Sequence, residues 1–309
     1  MRLRLLSIVI FALLASCSKS RQADWDRAMQ NGATALAQSD FREAVTQFNT
    51  ALDAAYTFPE DRRMADTLAR LAEAHAGLGE LNEAEELYRR ALPLQRQFYA
   101  SDSEQVATTL ANLGGLYQDV GRVDEAEASY NEALVMREKV LGAQHPDYAN
   151  TLMLFATLRR QMGRDVEAED LNKRALTTCQ ATRQQRCVAT VLDNLGSLYF
   201  DKGRLPEAID VFSKGRETWK ALAGDQHLDY AISTANLART YQQQKNLKAA
   251  EPLLKEALPI FEMAYGDDGP ELVTYYLGYS KLLEDLNRRD EAEGYSRKAA
   301  AIQALNSRQ

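Results

Sequence analysis

The sequence predicts an all-α chain, a solenoid of about seven stacked helical hairpins, and three observations predict it. One short phrase recurs seven times at nearly constant spacing. Small and bulky residues keep fixed distances from that phrase. The hairpins so defined occupy residues 23–305 of a 309-residue chain, leaving a tail at 306–309.

The phrase is GRVDEAE at 121–127, and it returns as GRDVEAE at 163–169 and GRLPEAI at 203–209. Looser copies are SDFREAV at 39–45, GELNEAE at 79–85, KNLKAAE at 245–251 and NRRDEAE at 287–293. Its alanine falls at Ala44, Ala84, Ala126, Ala168, Ala208, Ala250 and Ala292, in steps of 40, 42, 42, 40, 42 and 42 residues. Twelve residues before it stands a small residue: Gly32, Ala72, Gly114, Ala156, Gly196, Ala238 or Ser280. Four after it stands a bulky one in five of seven copies, namely Phe48, Tyr88, Tyr130, Phe212 and Leu254. Seven after it is another small residue, alanine in every copy except Gly215. Fixed periodicity of this kind marks a repeat architecture, in which one unit cannot bury its own apolar face and neighbours must stack.

The elements follow in chain order. Met1 to Arg4 carry Arg2 and Arg4 and no acid, and Leu5 to Leu14 is apolar but for Ser7. A helix of that length rises about 15 Å, half of a bilayer's hydrocarbon thickness. The segment therefore reads as a secretory leader, 1–16, rather than a membrane span. Leu14-Ala15-Ser16-Cys17 resembles the lipobox of bacterial lipoproteins. That resemblance implies a lipid on the Cys17 sulfur and cleavage just before it. It also implies a mature chain that is held on a membrane and faces the periplasm, with 17–22 as a linker. The alternative is an ordinary leader with a chance cysteine. By one sorting rule of lipoproteins Ser18 directs the chain to the outer membrane, the placement favoured here; by another, Lys19-Ser20 retains it on the inner one.

Within each repeat, apolar residues spaced three and four apart predict two helices joined by a turn. In the third copy 107–120 is helix A, Gly121-Arg122 the turn and 123–141 helix B. Glycine stops helix A because it adopts the left-handed conformation without a Cβ clash. The connectors GAQHPDYA, GDQHLDYA and GDDGPELV share one phase, so His145 and His227 are equivalent and are read as structural. Pro146 and Pro270 suit a first helical turn. His75 takes the place of a tyrosine and is read as core. The connector after the fourth copy lacks the phrase and holds Cys179 and Cys187, for which a disulfide and two free thiols both stand open. An oxidising periplasm would permit the bridge.

The phased pattern resembles the tetratricopeptide repeat in the 42-residue form of kinesin light chains. The resemblance implies a right-handed superhelix whose A helices line a concave face. It implies that the residues two before the small position face that groove: Arg70, Asn112, Leu154, Asn194, Asn236 and Gly278. The three asparagines resemble the row with which such repeats hold the backbone of an extended peptide, since a carboxamide both donates and accepts. Arg239 and Lys281 lie further along the same face, as do Gln118, Phe200, Gln242 and Gln243. Leu154 and Gly278 interrupt the row. The competing account is that LANLG, LDNLG and TANLA serve helix packing alone.

Loss of the leader takes the formal charge from −7 to −9, which argues against nucleic acid and against broad docking on anionic lipid. No glycine-rich phosphate loop, metal-spaced Cys/His set or nucleophile motif is legible, so no enzyme, cofactor, metal or small-molecule substrate is expected. The carboxylates of helix B are read as solvated faces and helix-start acids. The function expected is a membrane-anchored periplasmic scaffold or adaptor that binds a polypeptide along its groove, in envelope assembly or cell-wall metabolism. The alternative is a permanent subunit or pilotin of a secretion or pilus machine that uses the convex face.

Overall fold

A computed structural model describes residues 21–58, 61–99 and 102–307. The leader and Cys17 lie outside the described residues. Fourteen helices and no strand occur among the described residues, in the order of seven hairpins, an α-solenoid arrangement. The chain divides into two units, Met1–Leu158 and Arg159–Gln309. In the first lie α1 (21–37), α2 (Phe41–Ala55), α3 (Arg62–Gly77), α4 (Leu81–Phe98), α5 (Glu104–Asp119), α6 (Val123–Leu141) and most of α7 (Pro146–Gln161). The second holds the remainder of α7 with α8 (Asp165–Ala181), α9 (Gln185–Asp201), α10 (Leu205–Ala223) and α11 (Leu228–Gln243). It continues through α12 (Leu247–Tyr265), α13 (Leu272–Asp285) and α14 (Arg289–Asn306). Helix already covers 21 and 22, where a linker was expected.

Seven turns between helices A and B share one backbone device. The residue five before the anchor alanine has positive φ in every copy: Ser39, Gly79, Gly121, Gly163, Gly203, Lys245 and Asn287. The chain then closes on the helix it has just left, as where Arg122 N–H donates to Tyr117 O at 2.8 Å and Gly121 N–H to Gln118 O at 3.1 Å. These bonds satisfy carbonyls that the helix end would leave open. Ser39, Lys245 and Asn287 hold the same geometry (φ 59°, 64° and 61°) with a Cβ present. The turn is thus set by the bond pattern, and glycine only removes a cost of about 1–2 kcal/mol.

Connector histidines act at helix starts. The Nδ1 of His145 accepts from Asp147 N–H and that of His227 from Asp229 N–H, both at 3.2 Å. Each imidazole therefore satisfies one of the open N–H groups of a first turn. Pro146 opens α7, whereas Pro270 sits in a turn two residues ahead of α13, outside the helix.

The small and bulky positions meet inside each hairpin. A Cβ added at Gly32, Gly114 or Gly196 would lie 2.5, 2.8 or 2.6 Å from the rings of Phe48, Tyr130 and Phe212. All three rings are essentially fully buried. Where the small residue is Ala156 or Ala238, position four after the anchor is Asn172 or Leu254, smaller than the rings, whereas with Ala72 it is the buried ring of Tyr88. In the last hairpin the two positions are Ser280 and Ser296, whose hydroxyls bond at 2.9 Å, and Ser280 also donates to Ala292 O at 2.8 Å. The buried Ser280 is thus satisfied within its own hairpin. Tyr276 and Tyr279 are buried, as their spacing indicates. His75 is only half-buried and pairs with Glu80, which removes it from the core.

Candidate functional site

The phrase that defines the repeats is also its clamp. Arg122 reaches Glu125 on its own helix and, at 2.7 Å, Glu85 on the helix B before it. Arg204 repeats this with Glu207 and, at 2.6 Å, Glu169; Arg288 does so with Glu291 and Glu251. The guanidinium carbons of Arg122 and Arg204 also lie over the rings of Tyr117 and Tyr199, at 4.4 and 4.2 Å. Glu85, Glu169 and Glu251, each directly after an anchor alanine, are therefore inter-hairpin contacts, correcting their reading as solvated acids. Glu85 and Glu169 are only 18% exposed, because the neighbouring hairpin covers them. Arg204 holds the Glu169 carboxyl down at about 2.

Its contribution is that of a partly screened pair. Arg204→Met, which keeps the stem over Tyr199, should lower the denaturation midpoint slightly near neutral pH. The sign is that of a depressed carboxylate: stabilisation is present above pH 4.5 and fades as pH falls toward 2. The two denaturation midpoints should therefore differ at pH 7 and converge in acid.

The expected groove residues fall into two sets. In the first unit, Arg70 and Asn112 line one open cleft of about 330 Å³ between α3 and α5, while Leu154 on α7 stands 43% exposed and lies outside its lining. Arg70 pairs with Glu73 at 3.0 Å. Asn112 hydrogen-bonds the Tyr88 hydroxyl, so its amide is tied at one end to the hairpin beneath. In the second unit Asn194 on α9 and Asn236 on α11 are both half-buried. Arg239 on α11 stacks its guanidinium over Phe200 of α9, at 4.5 Å. Lys281 on α13 approaches Glu284 at 3.2 Å and Asp285 at 3.5 Å. Gln242 donates to Asp285 at 2.9 Å and Gln118 accepts from the Tyr130 hydroxyl at 3.1 Å. Three of the amides on the expected groove face, Asn112, Gln118 and Gln242, are thus engaged by the fold.

The structure joins Cys179, the last buried residue of α8, to Cys187 in the first turn of α9, with Cα atoms 5.7 Å apart. Among the described residues no group of three or more His, Cys, Asp or Glu could hold a metal ion. No described helix is long and apolar enough to cross a membrane.

Two polar features escape the repeat pattern read as a pattern. Fifteen residues before the anchor, other copies carry Met29, Ala69, Ala111, Met153, Ala235 and Leu277, but the fifth carries Asp193. It accepts from Trp219 Nε1 at 2.8 Å and from Ser233 Oγ at 2.7 Å. Burial pushes its carboxyl up to about 6, against the lowering effect of those two donors. A Cβ on Gly215 would lie 2.9 Å from Asp193 Oδ1, which accounts for the one glycine in a column of alanines. Eleven residues after the anchor, the column reads Ala55, Gln95, Arg137, Cys179, Trp219, Phe261 and the exposed Gln303. Arg137 and Trp219 are hydrogen-bonded there, whereas buried Gln95 has no partner for Oε1. Both exceptions are visible in the sequence once the copies are aligned column by column.

With this geometry in place, the comparisons with known proteins agree. The tetratricopeptide repeat family model matches residues 27–97, 63–139, 105–181, 187–263 and 242–304. The chain belongs to the tetratricopeptide repeat family, whose members are generally scaffolds for other proteins rather than enzymes. No curated protein matches it. Similar solved structures include repeats attributed to a kinesin light chain of Podosopora anserina, 20% identical over 67% of this chain and 100% of that one, TM-score 0.57. Aspartyl phosphate phosphatase F of Bacillus subtilis is 13% identical over 97% and 75%, TM-score 0.69. Pseudomonas aeruginosa PilF is 20% identical over 86% and 99%, TM-score 0.58. At these identities the likeness is one of fold.

Proposed function

We propose that this chain is a scaffold of the bacterial cell envelope, tethered through lipid on Cys17 and binding an extended polypeptide on its A helices. The observation that carries the binding is the half-burial of Asn112, Asn194 and Asn236 at one repeat phase, on helices whose opposite faces are packed. A carboxamide held this way offers a donor and an acceptor to a peptide backbone, giving affinity without demanding one side chain. Selectivity then belongs to the neighbours, Arg70, Leu154, Arg239 and Lys281. Leader and lipobox support the anchor. Two acyl chains exceed the single chain whose binding is marginal. In that compartment the Cys179–Cys187 bridge is formed and fastens α8 to α9.

Crosslinking in intact cells tests the reading. A polypeptide should be recovered with the wild-type chain, and Asn112→Ala/Asn194→Ala/Asn236→Ala should reduce recovery about tenfold at equal abundance. Undiminished recovery removes the asparagines from the interface and leaves a permanent subunit that uses other surfaces. Mass spectrometry of the N-terminal peptide should show Cys17 acylated; an unmodified cysteine ends the anchor.

A further inference from the structure

Within the first unit, the cleft between α3 and α5 is not neutral ground. Asp66 on α3 faces it together with Glu104, the first residue of α5, and Gln95 and Tyr99 reach it from the end of α4. The Tyr99 hydroxyl lies 2.8 and 2.7 Å from the two Asp66 oxygens, which fixes the plane of that carboxylate. Arg70, at the rim, is already paired with Glu73. Neither Asp66 nor Glu104 has an ion pair among the described residues. Arg62 and Arg70 act on Asp66 only through space, as Arg137 does on Glu104, its own guanidinium being bonded to Thr108, Thr151 and Asp147 O.

Gln95 supplies the second, independent observation. Its side chain is 2% exposed, lines the cleft, and leaves Oε1 without a hydrogen-bond partner. A buried acceptor left open is costly if nothing occupies it, so such a group implies a donor. Its counterparts in other copies differ. Arg137 donates to Asp147 O, Thr151 and Thr108 and leaves only a donor, Nε, unmatched, Trp219 donates to Asp193, and Phe261 is apolar. In the second repeat this column places a buried, unmet acceptor in the wall of a cleft. A water molecule would satisfy Gln95 but would bring no charge to Asp66 and Glu104.

We infer that this cleft is a subsite for a lysine or arginine side chain of the bound polypeptide, its cationic head between Asp66 and Glu104 and one N–H on Gln95 Oε1. The inference rests on the scaffold reading and adds the residue class that the partner must present. An ammonium or guanidinium has only donors, which matches a cleft that offers two carboxylates and a carboxamide oxygen. Burial already raises the Asp66 carboxyl above its ordinary value, so an arriving cation relieves a standing cost of the fold. The volume of about 330 Å³ admits such a side chain with part of the backbone that carries it, and Asn112 lies in the same lining to hold that backbone.

Panning a random peptide library on the immobilised full chain tests this. Recovered peptides should contain lysine or arginine at one aligned position at least fivefold above the library, and replacing that residue by methionine should weaken binding about tenfold. Asp66→Asn/Glu104→Gln should cost a similar factor with an unchanged circular dichroism spectrum. Recovery of no peptide, recovery without a basic position, or full binding after methionine replacement each overturns the inference without any variant of the protein having to fold. Asn194→Ala/Asn236→Ala separates the two readings. Peptides that depend on Asp66 but not on these asparagines leave the cleft standing and remove the row. Capture in cells that needs the asparagines, with no basic preference in the library, removes the cleft and leaves the row.

Discussion

Asp193→Asn should make the protein more stable above pH 6 than the natural chain, by up to about 3 kcal/mol, and should leave it little changed at pH 4. The native carboxyl titrates at about 6, against 3.8 in the absence of the fold. A difference of that size corresponds to about 3 kcal/mol. Because the folded value is raised, the stabilising state is the protonated one. It is fully present below pH 3.8, and the advantage is lost as pH rises toward and through 6. Asparagine keeps an oxygen for Trp219 Nε1 and can donate to Ser233 Oγ, so the hydrogen bonds survive while the charge does not. Urea midpoints of the two chains should coincide near pH 4, diverge between pH 4 and 6, and stay apart by a constant amount above pH 7. Parallel curves across that range would show that Asp193 is not desolvated. The acid-sensitive clamp at Glu169 has the opposite sign, which is why the difference between the chains, and not either curve alone, carries the result.

Gly196→Ala should destabilise the second unit by about 1–3 kcal/mol, although alanine stands at the same phase in three other hairpins. The added methyl would meet the Phe212 ring at 2.6 Å, inside a hairpin whose ring is 2% exposed and cannot swing toward solvent. Ala238 is paired with Leu254 and Ala72 with the Tyr88 ring, so the cost at Gly196 belongs to the close approach of its own Phe212 ring and not to the position. Gly196→Ala/Phe212→Leu should therefore recover most of the loss, and a double-mutant cycle on thermal or urea unfolding measures it. Additive losses would mean that the ring and the methyl do not meet. Elsewhere in a helix, glycine to alanine gains about 1 kcal/mol of propensity, so a net loss here is a packing result.

Much of the architecture could be read before any coordinates. Seven phased alanines determine the number of hairpins, because each copy of GRVDEAE can only be a turn followed by a helix start. The connectors fared similarly: two histidines at one phase, read as structural, each accept from a backbone N–H at the start of the following helix. The candidate site was less legible. Asn112, Asn194 and Asn236 could be placed on a face by counting, yet counting could not show that Asn112 is bonded to Tyr88 or that Gln242 is held by Asp285. The clamp glutamates were visible and misassigned, since a helix-surface acid and an inter-hairpin acid have the same local sequence.

The sequence by itself determined the helical class, the repeat length, the turn positions and the pairing of small with bulky residues, since all of these are local or separated by one repeat phase. Tertiary structure alone decided which polar residues are spent and which are open: Glu85 and Glu169 covered by the next hairpin, Asp193 half-buried and bonded to Trp219 and Ser233, Gln95 lining the cleft beside Asp66. The physical reason is that periodicity fixes the direction of a side chain. Its burial and its partner depend on a neighbour 26 to 43 residues away, whose own departure from the repeat must be known before either can be assigned.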